Sequence, residues 1–308
     1  MPRGLLIVNP KATTTSPRTR DVLVHALGAE LKLEVAQTRG RGHAVDLARQ
    51  AREDGVDVVV TLGGDGTVNE AVNGLLAHGT APDVPALAVV PGGSTNVFAR
   101  AVGLPDDQVE ATGQLLEGIR EGRRRAIGLG TANDRWFTFT AGLGLDAEVV
   151  AAVERHRAEG RRATKRLYLR SAVERYFRGT DRRDPPLTLR RDGDELAEVF
   201  LVLVGNTSPW TYLGRVRVDP FPGASFDRGL DVLALQKLAL PSTLWTAGQL
   251  LTPNGRPPWG GEATHLHDLT EFTVLSDRPV AFQVDGDYLG ERDLVAFRAV
   301  PEALEVVV

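Results

Sequence analysis

Three short stretches hold residue types suited to phosphate and proton chemistry. Residues 63–67 read Gly63-Gly64-Asp65-Gly66-Thr67. Glycines there let backbone amides approach an anion with no Cβ in the way, and a helix starting at the same point adds its partial positive charge. The chemistry this suits is the cradling of phosphate. Asp65 could hold Mg²⁺ against the phosphates or orient a hydroxyl, and Thr67 could cap the helix or donate to phosphate. An ordinary capped turn accounts for one glycine and one acid, hardly for three glycines. A second turn, Pro91-Gly92-Gly93-Ser94-Thr95-Asn96, ends in three good capping types and alone reads as a helix cap. The third stretch, Asp285-Gly286-Asp287, places two acids around a glycine and on residue types alone is a turn.

Elements must position these stretches. Strand-like runs at 4–8, 33–37, 56–62 and 86–90 alternate with helical patterns near 19–29, 43–54, 68–78, 96–102 and 108–121. That rhythm predicts a parallel sheet covered by helices, with both glycine turns at the carboxyl ends of strands, where such sheets bind ligands. Two converging cradles suit a nucleoside triphosphate. Neither turn is a Walker loop or a dinucleotide fingerprint. Beyond the basic run 123–125 the texture changes to alternating runs at 136–140, 186–190, 199–204, 230–235, 271–275, 280–284 and 293–299, with one helix near 164–177. The expected fold is α/β: an N-terminal three-layer nucleotide domain over 1–126, with 300–308 a candidate to rejoin it, and a β-rich, sandwich-like domain over 127–299.

Composition narrows the function. The 308 residues contain no cysteine, which removes disulfides and thiolate chemistry and predicts a cytoplasmic protein. The apolar run 5–8 is too short for a signal sequence, and no apolar run reaches the ~20 residues of a bilayer span. A net charge of −4 argues against a general nucleic-acid binder, although 120–125 and 155–183 concentrate Arg and Lys.

Together with Asn9-Pro10-Lys11, residues 63–70, residues 91–100, Gly142-Leu143-Gly144-Leu145-Asp146-Ala147 and Val284-Asp285-Gly286-Asp287, the chain resembles the diacylglycerol kinase catalytic family, which includes bacterial lipid kinases and sphingosine kinases. These landmarks occur in the family's order over nearly the whole chain. The resemblance implies ATP and Mg²⁺ as cofactors, a lipid substrate at the membrane surface, and an active site between an α/β domain and a β-rich one. It places Thr38, Gly64, Asp65, Gly66, Thr67 and Ser94 at ATP, and extends the nucleotide set to Asn9, Lys11, Gly63, Asn69, Gly93, Thr95 and Asn96. It also turns the late acids into base candidates that take the proton of a lipid hydroxyl. Because Asp287 stands where the family has Glu, Asp285 is expected first and Asp287 second.

The chain departs from the family at several points. Thr13 replaces a usual Gly, and Thr14, Thr15 and Ser16 follow it; Val97 replaces an acid; Phe226-Asp227-Arg228-Gly229-Leu230-Asp231 replaces an Asp-Asp-Gly-x-x-Asp segment that holds a structural Mg²⁺. Asp227 and Asp231, with Asp65, are the candidate metal ligands, and Arg228 cannot ligate a cation. For a membrane surface the candidates are Arg161, Arg162, Lys165, Arg166 and Arg170, with Leu167, Tyr168 and Leu169, and the aromatic residues Trp210, Tyr212, Trp245 and Trp259; a solvated helix face and core packing are the plain alternatives. Peripheral association with the inner membrane face is expected, with a dimer as one candidate oligomeric state. A NAD kinase-like enzyme and a lipid-sensing pseudokinase are the rival readings.

Overall fold

The valine- and leucine-rich runs of the first unit form a parallel sheet. In chain order the elements are β1 (Arg3–Val8), α1 (Pro17–Gly28), β2 (Lys32–Gln37), α2 (His43–Glu53), β3 (Val58–Gly63), α3 (Asp65–Leu75), β4 (Ala86–Pro91), α4 (Val97–Ala101) and α5 (Gln108–Glu121). This computed structural model describes residues 1–12, 17–159, 165–178, 183–214, 216–252, 256–260 and 262–308. Residues 13–16 and 161–164, which include Thr13 and Arg162, lie outside the described residues, as do the side chains of Lys165 and Arg166.

The strand order is β2-β1-β3-β4, all parallel. All six residues of β3 are buried, as a central strand requires. Helices α2 and α3 pack closely because Gly74 has no side chain: a Cβ there would lie 2.3 Å from the Val45 carbonyl oxygen. Ala44, Ala48 and Ala51 supply the matching small buried face of α2. Helix α5 starts on Asp107, whose carboxylate accepts from Val109 N and Glu110 N, and stops at Gly122, which takes the left-handed conformation at φ 67°.

The remaining elements are β5 (Arg124–Ala132), β6 (Arg135–Phe137), β7 (Thr140–Gly144), α6 (Leu145–Ala158), α7 (Lys165–Arg178), β8 (Leu187–Arg191), β9 (Asp194–Val199), β10 (Leu201–Gly205), β11 (Thr211–Leu213), β12 (Val216–Val218), β13 (Leu230–Leu235), α8 (Leu240–Leu250), β14 (Ala263–Leu269), β15 (Glu271–Val284) and β16 (Asp287–Val307). The chain divides into two compact units, Met1–Leu129 with Pro301–Val308, and Gly130–Val300. The end of β16 joins the first sheet through the parallel pair Val306 and Leu87.

In the second unit β14, β13, β10, β7, β15 and β16 pair antiparallel in that order, and β11 and β12 form a separate hairpin. Alternation along β10 and β13 divides the core in two. Val202, Val204, Val232 and Ala234 join one cluster with Phe272 and Phe297, whose rings stack at 4.9 Å. Leu201, Leu203, Leu233 and Leu235 face the other, with Tyr176 and Phe221. Helices α6 and α8 were not foreseen. The first begins inside the glycine-rich Gly142–Ala147 landmark, and the second carries Pro241 and Gly248, all of which weaken a helical signal.

Candidate active site

The candidate nucleotide residues of the first unit stand where parallel strands end. Asn9 and Lys11 follow β1, Thr38 follows β2, the 63–67 turn closes β3, and Gly93, Ser94, Thr95 and Asn96 follow β4. Asn69 is the exception. It is buried inside α3, where its side-chain oxygen accepts from Asn73.

The two glycine turns lie back to back. Gly92 N donates to Gly63 O at 2.7 Å, and a Cβ on Gly93 would come within 2.7 Å of Gly64 Cα. Only glycine permits that approach. Asp65 fastens the pair: its Oδ2 accepts from Val97 N and its Oδ1 from Phe98 N, both at 3.1 Å, so an acid of the first turn caps the helix that follows the second. Val97, where the family carries an acid, is itself buried. Asn96 adopts the left-handed conformation at φ 49°; its side chain accepts from Gly93 N and donates to Gly93 O and Asp106. Thr67 Oγ1 accepts from Asn9 Nδ2 at 3.2 Å. Gly64 is the N-cap of α3 and offers no side chain there, so the Gly64–Gly66 turn brings backbone alone to the helix N-terminus. Glu70, the last residue of the 63–70 landmark, accepts from Gly42 N and Ala44 N and so fixes the loop after Thr38 to α3.

In the second unit Asp285 and Gly286 have φ of 48° and 80° between paired Val284 and Asp287. This is the two-residue hairpin turn that an Asp-Gly pair favours. Asp285 is 6% exposed. Its Oδ2 accepts from Thr138 N and Thr138 Oγ1, and its Oδ1 from Phe139 N and Thr140 N, at 2.7–3.0 Å. Burial pushes this carboxyl above the usual range, against the pull of those four donors. Asp287 is half-buried at the start of β16.

Two further residues join this turn and were not singled out from sequence. Gln283 donates Nε2 to Asp146 Oδ2 at 2.8 Å and accepts Gly286 N on Oε1 at 3.0 Å. Burial raises the Asp146 carboxyl to about 6, and the Gln283 bond opposes that rise. Gly142 leaves room for the pair, since a Cβ there would sit 2.5 Å from Asp146 Oδ2. The glycine of the sequence landmark thus has a packing reason.

The structural Mg²⁺ expected at Asp227 and Asp231 does not suit these residues. Asp227 is exposed, whereas Asp231 is fully buried and its Oδ1 accepts from His267 Nδ1 at 2.6 Å and Asp268 N at 3.1 Å. Arg228 Nη1 lies 2.9 Å from His267 Nε2. Arginine only donates, so Nε2 accepts here and Nδ1 donates to Asp231. His265 Nε2 stands 3.8 Å from Asp231 Oδ2, and burial pushes that imidazole down. A hard oxygen-seeking cation is poorly served by imidazoles and a guanidinium. Among the described residues no group of three or more His, Cys, Asp or Glu is placed to hold a metal ion.

The two abutting glycine turns stand at the carboxyl edge of a parallel sheet, the edge at which α/β folds bind ligands. The family model of the diacylglycerol kinase catalytic domain matches residues 3–132. A diacylglycerol kinase of Staphylococcus carnosus is 33% identical over 88% of this chain and 83% of its own length. A solved diacylglycerol kinase from Bacillus anthracis shares the fold, with a TM-score of 0.70 at 21% identity over 99% of this chain and 96% of that one. An NAD kinase from Archaeoglobus fulgidus, solved in complex with ATP, is more distant, with a TM-score of 0.51 at 12% identity over 99% and 93%. The chain belongs to the diacylglycerol kinase family and is a lipid kinase, a phosphotransferase.

Proposed function

We propose that this lipid kinase transfers the γ-phosphate of Mg-ATP to the hydroxyl of diacylglycerol or a related lipid. The observation that carries the reading is the back-to-back packing of the two glycine turns at the N-terminus of α3, fastened by Asp65. Phosphate oxygens would approach the N-terminus of α3 across these glycines, and Thr67 Oγ1, held by Asn9, would donate beside them. The metal ion arrives with the nucleotide and draws most of its ligands from phosphate and water, so one or two carboxylates suffice, and Asp65 is the acid of the loop. The ATP complex of the distant NAD kinase supports the choice of nucleotide.

In the transfer, the acceptor oxygen gives its proton to a carboxylate and forms a bond to the γ-phosphorus, while the bond from that phosphorus to the bridging oxygen breaks and ADP leaves. Phosphoryl transfer asks for positioning and charge control more than for a strong base. Because both oxygens of Asp285 are engaged by four donors, we assign the proton to Asp287 and give Asp285 the task of holding the turn. The test is incubation of the protein with labelled ATP, Mg²⁺ and mixed micelles containing diacylglycerol. Labelled phosphatidic acid is the expected product. Label entering NAD and no lipid would move the protein to the rival enzyme, and binding of ATP without any labelled product would make it a pseudokinase.

A further inference from the structure

Large apolar side chains that remain exposed are unevenly distributed among the described residues. Of fifteen, four lie on the first unit, each on a separate segment. Ten of the eleven on the second belong to α7, the β11–β12 hairpin, or the segment from α8 to Trp259. These three are mounted together. Tyr176 of α7 donates its hydroxyl to Leu238 O just ahead of α8, and Asp219 N, just past β12, donates to Leu250 O at the end of α8. Tyr176, Leu238 and Leu250 also share one core cluster.

The α8 segment shows how the exposure is maintained. Leu240–Leu250 contains no ionisable residue. Leu240, Leu244 and Leu251 fall on one stripe at 3.6 residues per turn, away from buried Thr246. Trp245 and Trp259 are 54% and 62% exposed and meet edge to face at 5.6 Å. They are held in place: Trp245 Nε1 donates to Trp259 O, and the Gln249 side chain binds both the N–H and the carbonyl of Trp259. Two fixed indoles beside an uncharged helix are costly to leave in water, and tryptophan favours the boundary between headgroups and acyl chains. Helix α7 supplies charge, with five Lys and Arg against the single Glu174, and shows Arg170, Val173 and Phe177 on one exposed face.

The geometry points to this surface as the place where the second unit sits on an anionic bilayer, the indoles and leucines entering the boundary and Arg170 of α7 meeting lipid phosphate. Charge selects this occupant over a second copy. A two-fold dimer through the same patch would set one basic α7 near another, whereas an anionic surface complements it. The inference deepens the lipid-kinase reading by naming the surface that reaches the substrate's phase, and rests on that reading only for its purpose.

The experiment uses the full chain with vesicles of phosphatidylcholine alone or mixed with phosphatidylglycerol, read by co-sedimentation and tryptophan emission. The wild type should bind the mixed vesicles, with emission shifted to the blue, and added salt should weaken it. Leu244→Asp, the pair Trp245→Ser with Trp259→Ser, and Arg170→Glu should each bind about tenfold or more weakly, with unchanged melting temperature. The single exposed changes Leu244→Asp and Arg170→Glu serve if the double tryptophan variant does not fold. Vesicle binding like wild type in these variants would overturn the inference. So would a wild-type dimer in sedimentation equilibrium that Leu244→Asp dissolves. Turnover on a water-soluble short-chain diacylglycerol separates the two readings: variants should keep it while losing vesicle-embedded substrate. A wild type that phosphorylates neither substrate defeats the kinase reading and leaves the vesicle result standing.

Discussion

Asp65 and Asp285 are both caught by backbone amides, yet in different surroundings. Asp65 is half-buried and joins two loops at the carboxyl edge of the first sheet through Val97 N and Phe98 N. Asp285 is sealed under four donors from three consecutive residues. The difference teaches where chemistry can sit. A carboxylate that ties loops at a surface can exchange an amide for a ligand, whereas one sealed by its own turn must break the turn to act. Sequence motifs mark both acids alike, and only their partners separate them.

The sharpest way to break this comparison is Asp285→Asn. An amide nitrogen facing backbone N–H groups leaves buried donors unsatisfied, so stability should fall by about 2–4 kcal/mol, seen in thermal melts. A variant that melts like wild type but has lost turnover would return the base role to Asp285. Next in size, Asp287→Asn should lower turnover about 100-fold, some 2.7 kcal/mol on the barrier, and leave melting temperature and ATP affinity nearly unchanged.

Asp146 extends the comparison to pH. Its folded carboxyl, raised to about 6 from an ordinary 3.8, binds its proton more tightly than the unfolded one. The associated stability is therefore fully present below the unfolded value and lost as pH rises through about 6. The full effect is at most about 3 kcal/mol and smaller for a half-buried group. Stability measured from pH 4 to 7 should fall more in wild type than in Asp146→Asn, and parallel curves would refute the assignment.

Smaller still, Asp65→Asn should keep the fold, lose about 1–2 kcal/mol of loop fastening, and show impaired phosphotransfer with weaker ATP binding by calorimetry. Wild-type turnover would remove Asp65 from the site. Finally, Arg228→Met should cost about 0.5–1 kcal/mol by depriving His267 of its donor. Without nucleotide, EDTA and Mg²⁺ should leave the wild-type melting temperature unchanged, and a rise on adding Mg²⁺ would restore the metal to Asp231.

Much of the fold was legible because it is written locally. Uninterrupted Val58-Val59-Val60 announces a covered strand, and Gly63-Gly64-Asp65-Gly66 announces a turn that backbone must approach. The convergence of the two glycine turns was legible, but the direct abutment of Gly64 on Gly93 was not, since it depends on a backbone distance that no residue type announces. Nor was the burial of Asp285, whose donors at Thr138, Phe139 and Thr140 lie about 145 positions away. The Arg228–His267–Asp231 chain spans 39 positions and carries no periodic signal. Asp146 sat inside a motif, but its partner Gln283 looked like an ordinary strand residue.

Strand β16 begins at Asp287 in the second unit and ends at Val307 in the first, where Val306 pairs with Leu87 and the Val308 carbonyl oxygen fills the space a Gly118 side chain would need. On the ribosome, the first unit must therefore wait for residues 301–308 before its β4 edge is covered. Until then it presents an open apolar strand, and that interval is when a nascent chain is exposed to mispairing and to chaperones.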